Sequence, residues 1–482
     1  MTRYLTTIGL EFHAELKTKT KIFCSCPTDF AGEPNTQVCP VCLGLPGVLP
    51  VLNQEAVRLA VKAGLALNCE ISRYSKFDRK NYFYPDLPKG YQVTQYPLPI
   101  CRNGHIEIPD AEGLPKTVRI NRIHLEEDAG KLVHSGDHIG GSAYSLPDYN
   151  RAAVPLIEIV TEPDLTSAEE ARAFAETLKL TLEYAGVSDV KMEQGSLRCD
   201  VNISLRPEGA ESLGVKVEVK NLNSFRSMQR AIEYEIGRQE LLLEDGLTVV
   251  QETRLWDEAS GQTRSMRSKE NAHDYRYFPE PDLVPIEIGG EWLAEIQATL
   301  AERPQSRLAR LQEQVGLSGY DAGQIVANPP LAHFFDVAIA LGAEAKATAN
   351  WLLGDITRLM NSSGRDYAAV PVAVAEFVHL LQELGSGAIN KNSAVVVLEE
   401  LFDSGKSAAA IIAAHSFEQI SDSSLLTAAV ADVIAANPQP AADYRAGKKQ
   451  AAGFLVGQVM KQTKGQANPG LVRELLEQAL AE

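Results

Sequence analysis

Thr7-Ile-Gly-Leu-Glu-Phe-His-Ala14 is the stretch on which the fold turns. Successive side chains of a β-strand point to opposite faces, so Ile8, Leu10 and Phe12 share one face while Glu11 and His13 share the other. The design recurs far along the chain. Leu197-Arg-Cys-Asp-Val-Asn-Ile-Ser-Leu205 turns Leu197, Cys199, Val201, Ile203 and Leu205 one way, and Arg198, Asp200 and Asn202 the other. In Val215-Lys-Val-Glu-Val-Lys220 the valines alternate with Lys216, Glu218 and Lys220. Ile120-Asn-Arg-Ile-His-Leu-Glu-Glu-Asp-Ala-Gly130 changes phase midway, as a β-bulge would cause. It delivers His124 and Glu126 to one side, with Glu127 and Asp128 following. Val154-Pro-Leu-Ile-Glu-Ile-Val160 buries one acid, Glu158, inside an apolar run.

One reading of these strands is an antiparallel sheet with a solvated polar outer face. Such a face normally mixes Thr, Lys and Gln, whereas here carboxylates recur with His and Arg. Carboxylates gathered on one concave face repel one another unless a divalent cation sits between them. Hard oxygen ligands with an imidazole suit Mg²⁺ or Mn²⁺, and Arg and Lys on the same face suit phosphates. The second reading is therefore a metal-assisted nucleotide site built without a phosphate-binding glycine loop. Asp403-Ser-Gly-Lys-Ser407 imitates the end of such a loop, but Glu400 stands where its first glycine is required.

The 482 residues allow about three domains. Strand patterns mixed with a few helices occupy residues 1–290, one helix opening at the capping box Ser167-Ala-Glu-Glu170. After Pro279-Glu-Pro-Asp-Leu-Val-Pro285 the composition shifts to Ala, Leu and Val at helical spacing, divided near residue 410. The expected class is α+β: a sheet-bearing domain at 1–290 followed by helical segments at 291–410 and 411–482. No apolar run approaches the ~18 residues that span a bilayer. No signal segment is read at the start, and seven cysteines without one fit a reducing cytoplasm. A net charge of −17 opposes nonspecific polyanion binding by the whole surface, though not by local basic patches.

Four of the seven cysteines, Cys24, Cys26, Cys39 and Cys42, lie in one loop as a CxC and a CxxC. Four thiolates suit a tetrahedral Zn²⁺ site, structural because sulfur fills every position; the alternative is a loop of reduced, partly buried thiols. Lys76-Phe-Asp-Arg-Lys-Asn-Tyr-Phe-Tyr-Pro-Asp-Leu-Pro-Lys-Gly-Tyr-Gln92 interleaves aromatic and basic residues, including Lys80. Such a surface stacks on a base while binding phosphate, unless Phe77, Phe83 and Tyr82 are simply core. Arg276, in Asp274-Tyr-Arg-Tyr-Phe-Pro-Glu-Pro-Asp282, is a candidate phosphate or carboxylate clamp. Lys448, Lys449, Lys461 and Lys464 make a basic patch, either a solvated helix face or a docking point for a nucleic-acid backbone. No Cys–His pairing reads as a glutaminase nucleophile.

At nearly full length the chain resembles GatB, a family of tRNA-dependent amidotransferase subunits, in "IGLEFHAELKT", "KFDRKNYFYPDLPKGYQ", "HLEEDAGK", "PLIEIVTEPDL", "GSLRCDVNISLRP", "KNLNSFRSM", "DYRYFPEPDLVP" and "GFLVGQVMKQTKGQANP". The resemblance implies a cradle-shaped catalytic domain related to the glutamine synthetase fold, then a helical domain and a YqeY-like tail. It implies ATP-dependent amidation of misacylated Glu-tRNA(Gln) or Asp-tRNA(Asn), in a heterotrimer where GatA supplies ammonia and GatC wraps between the other two chains. Glu11, His13 and Glu126 match the family's Mg²⁺ ligands, and the cysteine quartet matches members that hold zinc. From the strand faces come Glu127 and Glu158 as further catalytic candidates. Lys80, Arg198, Asp200, Asn202, Lys216, Glu218 and Arg276 are candidates for binding ATP, and the four tail lysines for tRNA. The rival reading is a tRNA-binding scaffold with a vestigial metal site.

Overall fold

In the computed structural model, residues 3–135, 143–268, 272–364, 369–415, 417, 423–446, 448–463, 467 and 469–481 are described. The chain divides into two compact units, residues 1–304 and 305–482.

The first unit is organised by a nine-stranded sheet. In chain order its strands are β1 (Tyr4–Glu15), β2 (Glu70–Ile71), β3 (Cys101–Pro109), β4 (Pro115–Glu127), β5 (Pro155–Thr161), β6 (Leu197–Pro207), β7 (Val217–Lys220), β8 (Glu252–Asp257) and β9 (Gln262–Ser268). Their spatial order is β9-β8-β7-β6-β1-β5-β4-β3-β2, with the opening strand at the centre, β6 to β9 following outward on one side and β2 to β5 running inward from the edge on the other. Every pairing is antiparallel except β7 with β8, which corrects the wholly antiparallel expectation. A 20-residue helix, Phe225–Glu244, lies between those two strands in the chain, and such a crossover is what parallel neighbours require. The phase change read in Ile120–Gly130 is a register shift: Val160 faces Arg122 but Thr161 faces Ile120, leaving Asn121 extra.

Three helices cover one face: α1 (Gln54–Ala66), α2 (Ala168–Tyr184) and α3 (Phe225–Glu244). The alternating apolar residues of the strands meet them. Ile8, Leu10, Phe12, Val201 and Ile159 join Leu59, Phe174, Leu178 and Ile232 in one continuous core, and the Phe12 and Phe174 rings lie 6.1 Å apart. Each such side chain, fully buried, contributes on the order of 1.5–3 kcal/mol. Gly64 lets α1 approach β3, since a Cβ there would lie 2.4 Å from Cys101 Sγ. Ser167 caps α2 as its sequence suggested, accepting from Glu170 N at 3.2 Å. Ser224 caps α3 by accepting from Ser227 N at 3.0 Å. Ser224→Ala is expected to cost about 1 kcal/mol of stability, read as a lower urea midpoint at unchanged slope.

A small sheet of Phe278–Pro279, Asp78–Asn81 and Tyr91–Thr94 lies outside the large one, its last strand packed on β4. Arg79 ties it to the chain's return: its guanidinium meets Glu280 at 2.7 and 2.9 Å and lies over the Tyr91 ring at 4.1 Å. Phe77 is buried, but Phe83 is 86% exposed and is not core.

The second unit is helical. Helices Pro329–Ala340, Val374–Gly385, Lys391–Ser404 and Ala408–His415 pack in succession, with the Phe334 and Phe377 rings 5.2 Å apart. Gly405, at φ +64°, ends Lys391–Ser404, so the phosphate-loop imitation is an ordinary helix terminus. A separate cluster of Leu426, Val430, Leu455, Val459, Val472 and Leu476 holds helices Ser423–Ala436, Ala451–Gln462 and Pro469–Ala481 together.

Candidate functional site

Residues directly opposite on antiparallel strands share a face, with Cβ atoms about 4.5–5.5 Å apart. The register therefore assembles the site. Arg198 on β6 stands opposite His13 on β1, His13 opposite Glu158 on β5, and Glu158 opposite His124 on β4. Two residues along β1, Glu11 stands opposite Asp200. Glu126 follows His124 at the same-face spacing on β4. All lie on the face away from the three helices.

The side chains converge. His13 Nε2 lies 3.4 Å from Glu158 Oε2 and 3.7 Å from Glu11 Oε1. His124 Nε2 sits between Glu126 Oε1 at 3.0 Å and Glu158 Oε2 at 3.2 Å. Two overlapping donor groups result, Glu11–His13–Asp200 and His13–Glu126–Glu158, each with ligand atoms within 4.8 Å of one another. The trio Glu11, His13 and Glu126 is thus divided between two groups that share His13, and Asp200 and Glu158 complete them. Carboxylate oxygens with one imidazole form the donor set of Mg²⁺ or Mn²⁺, and the residues fit such an ion.

The electrostatics are those of acids crowded out of water. Burial, then the charge of Glu158, pushes Glu11 up to about 7. Burial also works against the charged form of Glu158, yet His124 and His13 hold its carboxyl well below the usual range. Burial opposes the His124 imidazolium, but Glu158 and Glu126 raise it to about 9. His13 is likewise raised, by Glu158 and Glu11 against burial. The carboxylates thus favour the charged form of both imidazoles, offsetting part of the acidic charge that a divalent cation would otherwise neutralise. Lys80 lies 4.9 Å from the centre of the Tyr275 ring. Burial disfavours its charge, but Glu126, the Tyr277 phenol and Glu158 push its pKa up.

The small sheet orients the acids. Thr94 Oγ1 donates to Glu126 Oε1, and Gln92 Nε2 donates to Glu126 Oε2 at 3.1 Å. Glu127 stands outside the donor groups, accepting from Lys89 Nζ at 2.6 Å and Val93 N at 2.8 Å. Lys89 also lines a cavity of about 190 Å³ beside the cysteine loop, with Phe23, Cys42, Tyr91 and Glu280.

The remaining candidates fall in several places. Arg198 donates to Asp128 Oδ2 at 2.6 Å. Asn202 lies opposite Glu218, and Glu218 accepts from Thr253 Oγ1 at 2.7 Å. Lys220 pairs with Asp200 and lies 3.5 Å from Glu218. Lys216 precedes β7 and is exposed, as is Arg276. Lys448, Lys449 and Lys461 are exposed, Lys448 lying 3.2 Å from Asp443, and Lys464 lies outside the described residues. His124 and Lys220 were readable on the polar faces without being singled out for the site. Asp128 stood in the acidic run after Glu127 without being singled out, and Gln92 and Thr94 carry no local pattern that marks them.

Cys24, Cys26, Cys39 and Cys42 are all reduced, with sulfurs within 4.8 Å of one another. Sulfur–zinc bonds of about 2.3 Å in a tetrahedron place sulfurs about 3.8 Å apart, and Cys39 and Cys42 Sγ are 3.9 Å apart. Cys42 also accepts from Cys39 N at 3.1 Å. A hydrogen bond from the Cys24 thiol draws Cys42 down to about 5 against burial, aided by Cys39 N–H and the Lys21 ammonium. The quartet fits a four-coordinate soft cation.

An acidic sheet face with two overlapping groups of potential metal-donor side chains, backed by helices and followed by a helical unit, makes this a protein of α+β class. Residues 6–294 match the GatB/GatE catalytic domain and residues 333–480 the GatB domain. Over 481 residues the chain is 53% identical to the B subunit of the aspartyl/glutamyl-tRNA(Asn/Gln) amidotransferase of Carboxydothermus hydrogenoformans, covering 100% of both chains. It is 54% identical over 477 residues to the protein of the same name from Moorella thermoacetica, covering 99% of this chain and 100% of that one. The corresponding Brevibacillus brevis protein is 52% identical over 483 residues, with 100% of this chain and 99% of that one covered. The chain belongs to the GatB family.

Proposed function

We propose that this chain is the GatB component of a tRNA-dependent amidotransferase, which uses ATP to convert the side-chain carboxylate of Glu-tRNA(Gln), Asp-tRNA(Asn) or both to the amide. The observation that carries the reading is the pair of donor groups meeting at His13, in a chain matched over its full length by GatB-type amidotransferase proteins. Ammonia cannot displace oxide from a carboxylate, so the acid must first gain a leaving group. A carboxylate oxygen attacks the γ-phosphorus of ATP, ADP departs, and an acyl phosphate forms. Ammonia then attacks the acyl carbon, phosphate leaves with the bonding electrons, and the nitrogen loses a proton.

Glu11, His13 and Asp200, together with Glu126 and Glu158, would hold Mg²⁺, which neutralises charge on the transferring phosphoryl group. Lys80, from the small sheet, and Lys220, from the large one, add positive charge beside the acids. Thr94 and Gln92 fix the Glu126 carboxylate so that it does not reorganise during transfer. Arg198, Asn202, Glu218, Lys216 and Arg276 are assigned to the surroundings of ATP, and Glu127 to a buried ion pair at the margin. Cys24, Cys26, Cys39 and Cys42 would hold a structural Zn²⁺.

The finer architecture belongs to the same proposal. The first unit is read as a cradle of glutamine synthetase type. A helical domain at 291–410 and a YqeY-like tail at 411–482 follow in this reading. Among the described residues no helix is long and apolar enough to cross a membrane. We place the protein in the cytoplasm with GatA as ammonia source, GatC as third component of the heterotrimer, and the tail lysines toward tRNA.

The purified chain, given ATP, Mg²⁺, ammonium and Glu-tRNA(Gln), is expected to form Gln-tRNA(Gln) and ADP. With glutamine in place of ammonium it is expected to form none until a glutaminase partner is added. Glutamine-driven product from the chain alone would contradict the division of labour.

A further inference from the structure

Lys21 is fully buried, yet it is a lysine, and burying an ammonium without a counter-charge costs several kcal/mol. Its Nζ has two partners: the Tyr149 carbonyl oxygen at 3.2 Å and Cys42 Sγ at 3.7 Å. No carboxylate pairs with it among the described residues. A carbonyl dipole accepts one N–H but supplies no net charge. Among the described residues, the source of negative charge in contact with this ammonium is therefore the cysteine quartet.

The loop is built to keep that contact. Lys21 N donates to Cys26 O at 2.9 Å, tying the lysine's own backbone to the first cysteine pair. Its side chain reaches the second pair through Cys42. Ile22 N donates to Ala153 O at 3.0 Å, and Asn53 Nδ2 donates to Thr20 O at 3.0 Å, so both flanks of Lys21 are pinned to other segments.

We infer that Lys21 is a positioning residue for the cysteine metal site: its ammonium is the built-in counter-ion of the metal–thiolate cluster. Four thiolates around Zn²⁺ leave a net charge of −2, and one ammonium in contact with a sulfur halves it. The ammonium also stabilises Cys42 as the thiolate that binds metal. In turn the cluster supplies the charge that makes a buried lysine tolerable. Each supports the other, and loss of metal removes the fixed charge of the cluster and leaves Lys21 only the Cys42 sulfur as counter-charge.

This rests on the reading of the quartet as a zinc site, and the test separates the two. The full-length chain, Lys21→Met and Lys21→Gln are titrated with Zn²⁺ against a chromophoric chelator, and each is melted zinc-loaded and chelator-treated. Methionine keeps the volume without charge, and glutamine also keeps a donor for the Tyr149 carbonyl. Both variants are expected to bind Zn²⁺ about 10–100-fold more weakly than the native chain. Both are expected to melt below it when zinc-loaded, but level with or above it when metal-free. If the native chain binds no Zn²⁺, the metal site itself is wrong. Native-like affinity in the variants, an equal loss of melting temperature in both metal states, or failure to fold with Zn²⁺ present would each make Lys21 a packing residue and overturn the inference.

Discussion

His13→Ala is expected to slow tRNA-dependent ATP cleavage by about 10²–10³-fold while the chain still binds tRNA. His13 is the one side chain common to both donor groups, so its removal weakens both at once. Its neighbours remain: Glu11 still faces Asp200 across β1 and β6, and Glu158 still accepts from His124 at 3.2 Å. His13 is partly accessible and lies on the face opposite the hydrophobic core, so the change empties no apolar packing. The loss should therefore fall on kcat and on metal dependence rather than on stability. Single-turnover ADP release, with tRNA binding measured in parallel, checks this. Unchanged turnover with tRNA bound would favour the scaffold with a vestigial site.

The largest expected loss of stability lies elsewhere, at Glu235 on α3. Its carboxylate is completely buried. It accepts from Arg238 at 2.8 and 3.0 Å, pairs with Arg254 of β8 at 3.1 Å, and takes the Thr263 hydroxyl of β9. One acid thus fastens a helix to the two strands at the edge of the sheet. Glu235→Ala takes from two mostly buried guanidinium groups the carboxylate they share, leaving Arg254 with Glu252. Breaking a buried pair from one side costs about 3–5 kcal/mol. Chemical unfolding of the full chain, followed by Trp256 beside this network, should show a transition displaced by that amount. A shift below about 1 kcal/mol would mean that water replaces the carboxylate.

What could be read in the sequence was what periodicity encodes. Alternation along Thr7–Ala14 and Leu197–Leu205 separates an apolar from a charged face, and the register then sets those faces side by side, Glu11 against Asp200 and His13 against Glu158. Even the bulge at Asn121 showed as a break in phase. What could not be read was what distant segments do to one another. The strand of Arg198 gives no sign of its partner, Asp128, which lies 70 residues earlier and accepts from it at 2.6 Å. Thr94 and Gln92 reach Glu126 from a separate small sheet, and their own strand is too short to show a pattern. Glu126 and Glu127 are adjacent acids that were both candidates for catalysis, and nothing local shows that Lys89 pairs with the second. Phe83 could have been core or surface by composition, and only the fold leaves it exposed.

The central claim is that acids from separate strands hold a divalent cation where the acyl group is activated. Anomalous diffraction at the manganese edge, from crystals of the active complex soaked with Mn²⁺ and a non-hydrolysable ATP analogue, tests it most directly. The expected result is a peak within about 2.5 Å of His13 and of a carboxylate oxygen from Glu11, Asp200, Glu126 or Glu158, touching the nucleotide's phosphates. A nucleotide bound with its manganese remote from all five side chains would contradict it.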